Sequence, residues 1–189
     1  MKIIKEAIEL LCSEAVEYCR GRNWLVRFPL LLGFLYIFIR HLFNPGYSDI
    51  LGPLNLGIHE LGHLLFSPFG QFINILGGTL FELFAPLFGV INFYRQEDFF
   101  AVTLSFGWLA TALFGVARYV GDAGTMNLPL AALFGMEDVV HDWNYLLNRL
   151  NIIGLDVTLG FFIRCLAVIF MLICLGSGSW LLWQMKKTP

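Results

Sequence analysis

Residues 50–66 read Ile50-Leu51-Gly52-Pro53-Leu54-Asn55-Leu56-Gly57-Ile58-His59-Glu60-Leu61-Gly62-His63-Leu64-Leu65-Phe66, and between Ile50 and Phe81 the sole carboxylate is Glu60, with no Lys or Arg. The apolar run fixes the class of environment, and the three ionisable residues inside it fix the question to be asked. On a helix, His59 and His63 are one turn apart and project from the same side, so both imidazoles can reach one metal ion. Glu60 is rotated one position round, placed to act on a water at that metal without being a ligand. Setting three such side chains among Leu56, Ile58, Leu61, Leu64, Leu65 and Phe66 is costly in hydrocarbon, which points to a functional site. Histidine is scarce as well: His41, His59, His63 and His141 are the whole supply in 189 residues.

Outward from this segment, the composition is that of a chain in lipid. It is 58% hydrophobic and 14% charged, and its mean hydropathy is +0.72. Soluble domains carry about a quarter charged residues. The length allows one compact helical domain of several spans. The net charge of −2 and the lack of a basic block exclude nucleic acid as a partner. Phenylalanine, at 19 residues, suits lipid-facing and interhelical packing. Cys12, Cys19, Cys165 and Cys174 show no CxxC spacing, so neither a thiol zinc site nor a redox motif is indicated. No cleavable signal sequence is evident in Met1-Lys2-Ile3-Ile4-Lys5-Glu6.

The predicted fold is all-α: a polytopic membrane helical bundle of four to five transmembrane helices, with an N-terminal amphipathic helix and an interfacial helix. Residues 1–22 hold the amphipathic helix, with Ile4, Ile8, Leu11, Ala15 and Tyr18 at helical spacing opposite Lys5, Glu6, Glu9, Glu14 and Glu17. Residues 23–189 form the membrane-embedded domain. Its expected helices are Trp24–Phe43, Ile50–Phe66, Phe72–Tyr94 and Phe99–Tyr119, and a last span Asp156–Met185. Asn44-Pro45-Gly46, Ser67-Pro68-Phe69-Gly70 and Arg95-Gln96-Glu97-Asp98 mark the turns. In Phe99–Tyr119, Gly107, Ala110, Ala112 and Gly115 allow close helix approach. Between residues 121 and 154, Val139, Val140, Trp143, Leu146, Leu147 and Leu150 give a boundary helix one apolar face, with His141, Asp142, Tyr145 and Asn148 largely elsewhere. Arginines before the first span and Lys186-Lys187 at the end both favour the cytoplasm. Five full crossings cannot satisfy both, unless the short second helix and its successor form a re-entrant hairpin.

A catalytic zinc site takes three protein ligands and a water, so a third ligand beyond His59 and His63 is required. His141 is the first choice, Asp142 the alternative. Asp138, Asp122 and Glu82 are candidates for second-shell or substrate contacts. Glu82 could instead bridge to Arg118, and His41, beside Arg40 at a span end, reads as interfacial. With Zn2+ bound, Glu60 would serve as the base of a hydrolase acting on peptide bonds.

The His59-Glu60-Leu61-Gly62-His63 motif on a membrane helix resembles the site-2-protease-type intramembrane zinc metalloproteases, and the Gly77-Gly78 to Pro86 stretch extends the likeness. The resemblance implies a zinc endopeptidase with His59 and His63 as ligands, Glu60 as catalytic base, and membrane protein substrates within the lipid bilayer. It also implies a third ligand, an aspartate in an Asn-Pro, Leu-Asp-Gly context on a later helix. This chain has Asn127-Leu128-Pro129, Glu137-Asp138 and His141-Asp142-Trp143 instead, and no PDZ insertion. The alternative function is a non-catalytic membrane protein that binds a metal or haem for transport or scaffolding. That reading gives Glu60 no task, and two histidines one turn apart cannot take opposite faces of one haem.

Overall fold

The computed structural model describes residues 2–128 and 141–188, which form an all-α bundle. Among them run seven α-helices: α1 (Lys2–Cys19), α2 (Trp24–Phe43), α3 (Gly52–Phe66), α4 (Gln71–Arg95), α5 (Phe99–Gly121), α6 (Asp142–Arg149) and α7 (Asp156–Lys187). The expected boundaries fall within two residues of these except at α6. Asp138, Val139 and Val140 lie outside the described residues. The stops are local chemistry. Ser67–Phe69 tightens to a 3-10 turn around Pro68, and Gly70 turns the chain at φ 86°, a conformation that residues with a Cβ resist. Asn23 accepts from the Leu25 N–H to start α2, and Asp98 accepts from the Ala101 N–H to start α5.

Four helices are long and apolar enough to cross a membrane: α2, α4, α5 and α7. At 15 residues, α3 is about 22 Å long and falls short of a crossing. Four candidate spans, unlike five, would leave both basic chain ends on one side of a membrane. The Gly21 N–H donates to the Thr188 carbonyl, and the Lys186 ammonium lies 5.9 Å from the Trp24 ring, so the start of α2 and the end of α7 share one end of the bundle. The α4–α5 turn is there too, since the Tyr18 hydroxyl donates to Asp98 at 2.6 Å. Burial and the Asp98 carboxylate together push the Tyr18 phenol up to about 12. Arg20, Arg22, Arg27, Arg95, Lys186 and Lys187, half of the chain's basic residues, belong to this end.

The core is the antiparallel pair α5 and α7. Gly107 packs beside Cys174, and Gly160 packs against the Ala117 carbonyl, where a Cβ would come within 2.8 Å. Leu109, Ala110, Leu113 and Phe114 meet Ala167 and Met171, with Ile37 and Phe38 of α2 closing the cluster. A second cluster joins Leu31, Phe100, Leu181 and Met185 to Ala15, Tyr18 and Cys19. The C-terminal half of α1 is anchored in this way, while Leu10 and Leu11 are exposed. All four cysteines are free.

His41, near the end of α2, points into the bundle. It is buried, 2.8 Å from the buried Asp49 carboxylate and stacked on Phe114. Asp49 also accepts from the Leu51 N–H, Arg164 donates to the His41 carbonyl, and Arg118 donates to the Gly46 carbonyl. Those bonds fix the loop that launches α3.

Candidate metal centre

One face of α3 carries Asn55, His59, Gly62 and His63, spaced by three or four residues, and this face turns inward. The Trp108 indole donates to Asn55 at 2.7 Å and holds α3 to α5. Contact with α4 is closer still. A Cβ on Gly62 would meet the Gly77 carbonyl at 2.4 Å and the Gly78 Cα at 2.9 Å, so two glycine-lined helices touch backbone to backbone.

The consequence is a convergence of three ligand-type side chains. His59, His63 and Asp142 each offer an atom within 4.8 Å of the others, the one such group of three among the described residues. Asp142 Oδ2 is 2.8 Å from His59 Nε2 and 3.2 Å from His63 Nε2. Ligand atoms held tetrahedrally by bonds of about 2.0 Å stand about 3.3 Å apart, near the 2.8 and 3.2 Å of the two Asp142 pairs. The other ring nitrogens are already engaged. His63 Nδ1 donates to the Asn74 carbonyl at 2.9 Å, and His59 Nδ1 donates to Glu82 Oε2 at 3.1 Å. Those bonds place a proton on each Nδ1, so that with a cation bound both Nε2 atoms, which now face Asp142, would turn a lone pair to it. His59, Asp142 and Glu82 are buried; His63 and Glu60 are half-buried. Burial opposes ionisation of the Asp142 carboxyl, but the two imidazoles hold it below the ordinary carboxylate range.

Asp142, and not His141, therefore stands beside the histidine pair, which departs from the sequence-based preference. The reason is geometric. Contrary to the expected division of faces, which set Asp142 apart from Leu146, Asp142 is one turn before Leu146 and shares its inward direction, so the helix brings its carboxylate inside with the leucine. His141 is the N-cap of α6. Its Nδ1 accepts from the Asn144 N–H at 3.2 Å, and its buried Nε2 has no hydrogen-bond partner among the described residues, lying 3.6 Å from Asp122. Asp122 does not join the three either. It caps α5 and receives the Leu128 and Asn127 N–H groups and the Thr125 hydroxyl. Burial works against it, yet these donors keep its carboxyl below the usual range. Glu82 is where a second-shell role would put it, bonded to His59; Arg118 is engaged with Gly46 instead. Asp138 lies outside the described residues.

Three contacts dock the start of α6: the Asp142 N–H to the Tyr119 hydroxyl at 3.0 Å, the Trp143 indole to Thr79 at 3.2 Å, and the Asn144 amide to the Ala123 carbonyl at 2.8 Å. Sequence reasoning missed Tyr119, Thr79 and Asn74, which have no motif of their own. Gly78 has a clear role. A Cβ there would sit 2.6 Å from His59 Nε2 and 2.7 Å from His63 Nε2, in the space where the two nitrogens converge. Gly78→Ala is expected to lower the affinity of any metal held here by about 100-fold, comparable to the largest losses seen for groups that support ligands. Chelator competition on the folded variant checks this, and wild-type affinity would show that Gly78 does not border the seat. No protein-family model, no curated protein and no solved structure matches this chain.

Proposed function

We propose that this chain is a membrane-embedded zinc endopeptidase that hydrolyses peptide bonds of membrane-embedded or membrane-proximal proteins. One observation carries the reading: two imidazoles one turn apart aim their Nε2 atoms at one carboxylate, and a further glutamate, Glu60, is adjacent in sequence but outside the cluster. Two nitrogens and a carboxylate oxygen, with a position left open, are a donor set suited to catalytic zinc. His59, His63 and Asp142 would hold the ion, which, when bound, lowers the pKa of water and polarises a carbonyl.

The chain's own groups account for the remaining chemistry. Glu60 takes one proton from the attacking water as the water oxygen bonds to the carbonyl carbon. It then passes that proton to the amide nitrogen as the C–N bond breaks, giving an acid and an amine. Glu82 and the Asn74 carbonyl keep both imidazoles in the tautomer that leaves Nε2 free. The outer side of α3 exposes Leu54, Leu61, Leu64 and Leu65, an apolar face suited to lipid or to a substrate helix. An intact substrate helix shields its peptide bonds, so the segment cut must unwind near the site. The site-2-protease-type resemblance agrees with this arrangement, because it calls for an aspartate from a later helix.

Metal analysis of the chain purified in detergent tests the proposal. About one zinc per chain is expected, lost in both His59→Ala and His63→Ala. A wild-type chain that takes up no zinc ends this reading.

A further inference from the structure

We propose that Tyr119 donates a hydrogen bond to the oxygen of the substrate carbonyl under attack. This rests on the endopeptidase reading and adds a catalytic residue to it. Tyr119 is in the last turn of α5, with its ring centroid 6.3 Å from that of His59 and 4.3 Å from that of His141. Its hydroxyl accepts from the Asp142 N–H at 3.0 Å, within one side-chain length of the carboxylate that faces both histidines. A phenol has one hydrogen to give and lone pairs to receive with. Here the oxygen is held by the Asp142 N–H, while the hydrogen meets no acceptor among the described residues. Tyr119 as a whole is half-buried, and the Asp142 N–H fixes its hydroxyl in place.

The other donors nearby are committed, apart from the buried His141 Nε2, which lies 3.6 Å from Asp122. The Trp143 indole goes to Thr79, the Asn144 amide to the Ala123 carbonyl, and Arg118 to the Gly46 carbonyl. There is no Lys or Arg between Ile50 and Phe81 to offset a developing negative charge. As the carbonyl oxygen gains charge, a preorganised neutral donor in a site of low polarity stabilises it strongly, because no solvent has to reorient. Tyr119 is the group positioned for that. Its bond from the Asp142 backbone ties it to the same element that supplies the third ligand-type side chain.

Tyr119→Phe keeps the ring and removes only the hydroxyl. The full chain, loaded with zinc in dodecyl maltoside, is compared with wild type in three measurements. Zinc per chain should be unchanged. The kcat on fluorescein-labelled casein should fall by about 10²–10³-fold with KM within about twofold, as when one oxyanion donor is removed. Calorimetric affinity for a leucine-based phosphinic dipeptide, which mimics the charged tetrahedral carbon, should fall in parallel, while acetohydroxamate binding stays the same. Unchanged kcat and phosphinate affinity overturn the role of Tyr119 alone. Loss of zinc as the sole defect also overturns it, by making Tyr119 a support for Asp142. A wild-type chain that neither binds zinc nor cleaves casein overturns this proposal together with the reading beneath it.

Discussion

Glu60→Gln is expected to retain about one zinc per chain and to lose peptide hydrolysis by roughly 10²–10⁴-fold, the range for removing a positioned general base. The amide has nearly the shape of the carboxylate, so the helix and its neighbours are undisturbed. What changes is the capacity to take a proton. Glu60 is half-buried and stands outside the group formed by His59, His63 and Asp142, so metal content should not follow activity. Glu82→Gln makes the contrast. Glu82 is bonded to His59 Nδ1, and its loss should weaken metal binding by about 10–100-fold, the range for outer-shell partners. Single-turnover cleavage with metal content measured on the same samples separates the two. If Glu60→Gln cleaves at the wild-type rate, Glu60 is not the base.

The second large effect concerns Asp142. Asp142→Ala is expected to reduce zinc affinity by more than about 100-fold, beyond the outer-shell range, because it removes a ligand-type oxygen that lies 2.8 and 3.2 Å from the two histidine nitrogens. His141→Asn should cost far less. Asparagine is itself a good N-cap and can accept from the Asn144 N–H in place of the imidazole. His141→Ala loses that cap, worth about 1 kcal/mol, and loosens α6. Chelator titrations of the three variants rank them. Equal zinc affinity in Asp142→Ala and wild type would remove Asp142 from the site, and a collapse in His141→Asn alone would restore His141 as the ligand.

Most of the fold was legible in the sequence because hydrophobic runs and turn residues do not depend on distant partners. Ser67-Pro68 and Asn44-Pro45-Gly46 end helices wherever they occur, and the ends of α2 and α3 and the start of α4 follow from them. The pair His59 and His63 was legible for a related reason: helical spacing alone sets their common direction. The third member of the cluster was not. Choosing between His141 and Asp142 requires knowing which side of an eight-residue helix faces α3, and adjacent residues on a helix point about 100° apart. A preference for nitrogen over oxygen cannot supply that direction. Leu146 and Leu147 could have, since their inward side includes position 142 and leaves 141 to cap the helix. Tyr119 and Asn74 were illegible because their parts are played by a hydroxyl and a main-chain carbonyl brought close by packing.

The gathering of six basic residues at the end where α2 begins and α7 finishes has a bearing on sidedness. If the four apolar helices lie in a bilayer, those cations stay with the compartment in which the chain is made. The cluster of His59, His63 and Asp142 is at the opposite pole, beside the last turn of α5 and the start of α6. On the proposed endopeptidase reading, a client helix would then be severed in its outer leaflet, leaving most of its length anchored and shedding whatever projects to the exterior.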